Sequence, residues 1–258
     1  MSFIPTATPT KNAYILTGYH ANNNSMSFLI DTAWAVKGAY RTAPASRGTV
    51  PALSLLKPLI GWVAGENKSA LAEIAIRQAN MTATSVLLES IGGQTQFLSL
   101  LADKTGVFLP ASLTWDTIVV SAQQVSAMYH QLDEASRAGD AYASTIVNYM
   151  SRTTPEHRLG IDQRIQQGTS SVHDVPLMTG WNLDNAVMYT HAVALVRGVT
   201  CVVLTAATVG TAVQAEWNTA KKEDSLRVLT LHNMLAGDVL RNGIVELLAD
   251  GLAAEFLY

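Results

Sequence analysis

The sequence predicts an all-α protein: a multi-helix bundle around a central apolar helix, with an extended N-terminal arm. Three observations carry that expectation: an uncharged stretch late in the chain, apolar residues at helical spacing through most of the remainder, and a shortage of charge. The stretch is Leu183 to Trp217, within which the 18 residues from Gly198 to Ala215 carry no formal charge. Leaving such a segment in water forfeits roughly 25 cal/mol per Å² of apolar surface, so something must cover it.

Three readings fit the stretch. A buried helix is preferred. Strands are the second reading, because the run VTCVVLTAATVGTAV is β-branched and Gly198 or Gly210 would serve as a bend. A membrane span is the third, since 18 uncharged residues reach the lower end of the required length. Five threonines between Thr190 and Thr211, and Arg197 beside the segment, weigh against the last.

The first 25 residues mix Pro5, Pro9 and the run Asn22-Asn23-Asn24-Ser25, which reads as an arm over 1–25. Residues 26–258 are then expected to form a single helical domain, with any subdivision near 106–112. Ser25 caps an expected helix with Leu29, Ala33, Val36 and Tyr40 on one face. After a loop at Ala43 to Thr49, Pro51 suits a first helical turn leading into Leu53, Leu56, Leu59 and Ile60, with Pro58 as a kink or boundary.

A longer helix is expected from Asn67 to Ile91, stopped by Gly92-Gly93, followed by a short amphipathic piece ending at Gly106. Ile118, Ala122, Val125, Tyr129 and Leu132 form the clearest helical stripe. It lapses at Gly139 and resumes at Tyr142, Ile146 and Tyr149. Pro155 opens another helix ending at Gly168, and Ser225 to Phe256 reads as a final helix.

Composition bounds the function. Only 14% of residues are charged, against about 25% in typical soluble domains, while 48% are hydrophobic. A surface of Ser, Thr, Asn and Gln would account for the deficit, and so would self-association, because interface cores are depleted in charge. Net charge is −3, which gives no overall pull toward nucleic acid. Residues 1–65 nevertheless carry five cations against Asp31 alone, a local excess of +4. The single cysteine, Cys201, excludes an intrachain disulfide. No secretory signal opens the sequence, and a virion or cytoplasmic location is favoured.

The search for chemistry finds no G-x-S-x-G, no G-x-G-x-x-G and no phosphate loop. No two of the six histidines stand at i, i+4, so neither a metal nor another cofactor is expected. His130 with Glu134, and the dipeptide His173-Asp174, are the remaining candidates for a small helical metal-dependent hydrolase. Arg152, His157, Arg158 and Arg164 cluster around an expected helix N-terminus and are candidate anion contacts. Lys37, Arg41 and Arg47 in the basic N-terminal region are candidate phosphate contacts that would not read sequence.

The function expected from these features is a non-enzymatic, self-assembling structural subunit of the viral or phage coat or shell kind. A homo-oligomer is the expected partner state, with non-specific nucleic acid contact through residues 1–65. The alternative from another class is a membrane-active, pore-forming-like helical protein that releases residues 198–215 into lipid; membrane contact is the less favoured partner.

Overall fold

The computed structural model describes residues 13–21, 24–36, 39–42, 49–168, 174–223 and 225–255. The all-α expectation is overturned at the stretch on which it rested. Instead of one buried helix, the chain there makes strands β6 (Leu177–Asp184), β7 (Val187–Val196) and β8 (Val199–Thr208), and only then helix α8 (Thr211–Glu223). Two tight turns create the hairpins. Asn185 and Ala186 take φ of 45° and 66°, and Arg197 and Gly198 take 51° and 83°, the left-handed pairs whose twist suits two-residue hairpin loops.

The apolar run has a physical reason that is not helical. Val193, Leu195, Val202 and Leu204 enter one core, whereas Ala192, Ala194, Cys201 and Val203 enter another on the opposite face. A sheet covered on both faces needs apolar residues at every position, so alternation disappears from the sequence. The expected helix after Ser25 is also a strand. Strands β1 (Ala13–Ala21), β2 (Asn24–Val36) and β3 (Ala39–Thr42) extend the same antiparallel sheet, in which β2 pairs with β8, giving the order β1-β2-β8-β7-β6. Residues 1–12 of the expected arm lie outside the described residues.

Helices cover the two faces. One core packs α1 (Lys57–Ala64), α2 (Ser69–Arg77), α3 (Met81–Ser90), α4 (Gly93–Thr105), α5 (Ala122–Arg137) and α6 (Ala141–Ser151) against Val193 and Val202. The other packs α7 (Ile161–Gly168), α8 and α9 (Ser225–Glu255) against Ala192 and Val203. The expected single helix 67–91 breaks at residues 78–80, because Asn80 turns to cap α3, accepting from the Ala83 N–H at 2.9 Å. Short strands β4 (Val50–Pro51) and β5 (Val119–Val120) pair beside the start of α1.

No described helix is long and apolar enough to cross a membrane, and of residues 198–215, the segment of the less favoured membrane alternative, residues 199–208 form β8.

Candidate active site

Four segments remote in sequence converge where α1 begins. A 3-10 turn, Leu53–Leu56, runs straight into α1, with Pro58 in the first turn where its missing N–H costs no hydrogen bond. This turn is held from three sides. The Ala52 N–H donates to the Ile118 carbonyl at 2.7 Å, and the buried Tyr129 hydroxyl donates to the Leu55 carbonyl at 2.5 Å. Below it, the Thr205 N–H donates to His191 Nδ1 at 3.2 Å, which leaves the ring proton on Nε2 to donate to the Pro51 carbonyl at 3.0 Å. Burial lowers the His191 pKa to about 4, so this ring stays neutral.

Ser54 on this turn and Lys57, the first residue of α1, stand at i and i+3, the spacing at which side chains of a 3-10 turn eclipse. Ser54 is half-buried and Lys57 is 1% exposed. Burial pulls the Lys57 pKa down to about 7, with Asp116 partly opposing the shift. Its ammonium form is also served by the ring of Trp115, 5.8 Å away, and by the Ala79 carbonyl, to which Nζ donates. A buried lysine poised between its two protonation states is the form in which an amine works as a base.

The opposing wall is the free edge of β6. Gly180 permits its approach: a Cβ there would lie 3.1 Å from both Leu53 Cβ and the Ser54 nitrogen. Thr179 donates to the His157 carbonyl at 2.5 Å, and the His157 ring meets Trp181 edge-on at 5.0 Å. Burial, and then the nearby Lys57 charge, lower the His157 pKa. Two residues of this neighbourhood, Leu53 and Ala79, hold left-handed φ of 53° and 50° without being glycine, a strain that recurs at functional sites.

A cavity of about 440 Å³ is lined by Ser54 together with Leu53, Met81, Asp116, Trp181 and Asn182. Trp217, Lys221 and Val228, from α8 and α9, complete its lining. A larger cleft of about 630 Å³ lies between α7 and α9, but no nucleophile with an adjacent base lines it. Its Arg241 is committed to the Leu159 carbonyl, Asn233 and Asp238 at 2.7 Å each.

This arrangement of helices and sheet has counterparts among solved structures. A class A β-lactamase from Bacteroides cellulosilyticus DSM 14838 aligns with a TM-score of 0.56 at 12% identity, covering 80% of this chain and 91% of that one. A point mutant of PBP-A, in an acyl-enzyme complex with penicillin G, gives 0.53 at 12% identity, with 80% and 90% covered. The TLA-3 extended-spectrum β-lactamase gives 0.52 at 12% identity, with 80% and 93% covered. The fold is the class A β-lactamase and penicillin-binding fold. No protein-family model matches the sequence, and no curated protein matches it significantly.

That fold overturns the coat-protein expectation, together with its pore-forming and helical metal-hydrolase alternatives: the chain is built like solved enzymes, not like the all-helical bundle on which those readings rested. The missed signal is Ser54-Leu55-Leu56-Lys57, an S-x-x-K sequence, which in class A β-lactamases and penicillin-binding proteins accompanies S-D-N and K-T-G. The two segments packed beside it here read Gln78-Ala79-Asn80 and Met178-Thr179-Gly180. Gln78-Ala79-Asn80 keeps only the asparagine of S-D-N, whereas Met178-Thr179-Gly180 replaces only the lysine of K-T-G.

The residues singled out from sequence are scattered. Arg158 is buried and structural: it pairs with Asp162 at 3.0 Å and donates to the Val175 carbonyl at 2.7 Å and to Thr153 at 2.9 Å. Arg164 is exposed on α7 with Gln167 at 3.4 Å, and the Arg152 carbonyl accepts from Arg77 at 3.2 Å. None of that cluster lines the cavity over Ser54; the His157 ring packs on its Trp181, and Arg164 lines the larger cleft. Lys37 and Arg47 lie outside the described residues, and Arg41 is placed only as backbone in β3. His130 and Glu134 stand 3.7 Å apart on α5, His173 is outside the described residues, and no group of three or more metal-ligating side chains occurs among those described.

Proposed function

We propose that this chain is a serine acyl hydrolase or acyl transferase, with Ser54 as nucleophile and Lys57 as its base. The observation that carries the reading is the buried Lys57 amine three residues from Ser54, its pKa lowered to about 7 by burial. As a free amine it accepts the Ser54 hydroxyl proton while Oγ adds to the substrate's acyl carbon. The resulting oxyanion meets the backbone N–H of Ser54 and the free edge of β6, held within reach by Gly180. Collapse expels the leaving group, which takes the proton back from the Lys57 ammonium and leaves the acyl group on Ser54.

Asp116 lines the same cavity and is the carboxylate placed to draw a proton from the water or alcohol that releases the acyl group. The solved structures named as β-lactamases and as a penicillin acyl-enzyme support acyl transfer as the reaction class. The altered companion motifs set this site apart from theirs: Met178 supplies a buried thioether where K-T-G supplies an ammonium, and Gln78 supplies an amide where S-D-N supplies a hydroxyl.

A fluorophosphonate, which traps activated serines covalently, tests the reading. Intact-mass and peptide analysis should find one adduct, on Ser54, absent from Ser54→Ala and strongly slowed in Lys57→Met. A protein that stays unmodified, or is modified elsewhere, would refute the assignment.

A further inference from the structure

The cavity over Ser54 combines three kinds of lining. Ser54 and Asp116 both line it, and β6 adds no cation there because residue 178 is Met. An acid group placed beside Ser54 would face the Asp116 carboxylate, and the free-amine form of Lys57 that activates Ser54 offers it no counter-charge. Leu53, Met81, Trp181, Trp217 and Val228 give it apolar walls. Lys221 lines it too, its ammonium 4.7 Å over the Trp217 ring.

Trp217 is not a loose wall. Its indole Nε1 donates to His232 Nε2 at 3.2 Å, so the histidine proton lies on Nδ1 and donates to Thr190 Oγ1 at 2.8 Å. All three residues are buried, with Trp217 6% exposed and the other two fully buried. This chain of bonds ties the indole from α8 through α9 to β7. Lys221 stands one helical turn after Trp217 on α8, so its stem lies along a ring whose position is set. The ring gives the exposed Lys221 ammonium a partner at the cavity wall.

We infer that the site takes an acyl compound with an apolar, aromatic or branched, acyl body that is uncharged near the scissile carbonyl and ends in an anionic group, which Lys221 holds. This rests on the same cavity as the Ser54 reading and specifies its substrate class. The apolar body fills the space between Trp181 and Trp217, and the terminal anion meets Lys221. The arrangement disfavours ligands whose anion sits next to the reacting carbonyl.

Reversible binding tests the inference without needing catalysis. The probes are 4-phenylbutyrate and its neutral amide, titrated by calorimetry into the full chain and into Ser54→Ala, Lys221→Met and Lys222→Met. The carboxylate should bind about fivefold more tightly than the amide, as expected for one partly exposed ion pair. Lys221→Met should abolish that preference, and Lys222→Met, one residue along the same helix, should keep it.

Equal binding of the two probes, binding of neither, or a preference that survives Lys221→Met would overturn the proposal. A Lys221-dependent preference in a protein that resists fluorophosphonate would uphold the ligand class while removing the Ser54 chemistry. Fluorophosphonate labelling without any carboxylate preference would do the reverse.

Discussion

A Cβ at residue 180 would stand 3.1 Å from the backbone nitrogen of Ser54, so the gap between β6 and the Ser54 turn is as wide as glycine and no wider. Gly180→Ala must push either Leu53 or the Ser54 backbone by a few tenths of an ångström. Overpacking of this kind costs about 1–3 kcal/mol, and the displaced atoms include the Ser54 nitrogen proposed above to meet the oxyanion. Fluorophosphonate labelling of Ser54 should fall at least tenfold, on the order of one lost oxyanion contact. A labelling rate equal to wild type in a folded Gly180→Ala protein would remove β6 from the mechanism.

Lys57 gives a signed pH prediction. Its folded pKa is about 7 against an ordinary 10.5, so between those values the unfolded chain binds more protons than the native one. Stability contributed by this site therefore rises with pH across that window and is lowest below about 7. Urea midpoints of wild type relative to Lys57→Met should show that rise. The Ser54 labelling rate of wild type should climb through the same pKa as the amine becomes free, whereas Lys57→Met should be slow at every pH.

The acid side belongs to the two buried histidines. Burial lowers His191 to about 4 and His232, further disfavoured by His191, to about 3. Both bind protons in the unfolded chain near 6.5 but not in the native one, so the stability they contribute is full above that value and falls as pH drops toward 4 and 3. His232→Gln should flatten part of this acid slope in thermal melts. It should also lower stability at neutral pH by about 1–3 kcal/mol, because Trp217 Nε1 and Thr190 Oγ1 lose a shared buried partner. An unchanged slope would mean that His232 is not the buried neutral ring the hydrogen bonds describe.

Legibility in the sequence followed the range of the interactions involved. Local signals translated directly: Gly92 ends α3, Gly106 ends α4, Gly139 separates α5 from α6, and the stripe Val125, Tyr129 and Leu132 is buried as its spacing implies. Residues 183–217 did not translate, because a sheet buried on both faces shows the same unbroken apolar run as a buried helix. The discriminating marks were present in the hairpin pairs Asn185-Ala186 and Arg197-Gly198. The site was hidden differently. Ser54 and Lys57 sit among leucines that satisfied a helical stripe, and of the known companion motifs residues 78–80 keep only the asparagine and residues 178–180 only the threonine and glycine. Only the fold brings the three segments together.

Arg158 separates a structural cation from a binding one. It is 7% exposed, pairs with Asp162, and donates to the carbonyls of Val175 and Ser151 and the hydroxyl of Thr153. Those bonds fasten residues 151–158 to the entrance of β6, and so hold the His157 carbonyl under Thr179. Truncation leaves the Asp162 carboxylate without its arginine and several buried acceptors without donors, a loss of about 3–5 kcal/mol for a buried pair broken on one side. Arg158→Met should therefore unfold at markedly lower urea concentration, and Arg158→Lys should recover little, because an ammonium cannot span acceptors arranged for a planar fork. Arg164→Met, on the exposed face of α7, should change the urea midpoint by no more than about 0.5 kcal/mol equivalent. If the two arginines behaved alike, the anchoring of the 151–158 segment to β6 would have to rest on contacts other than the guanidinium.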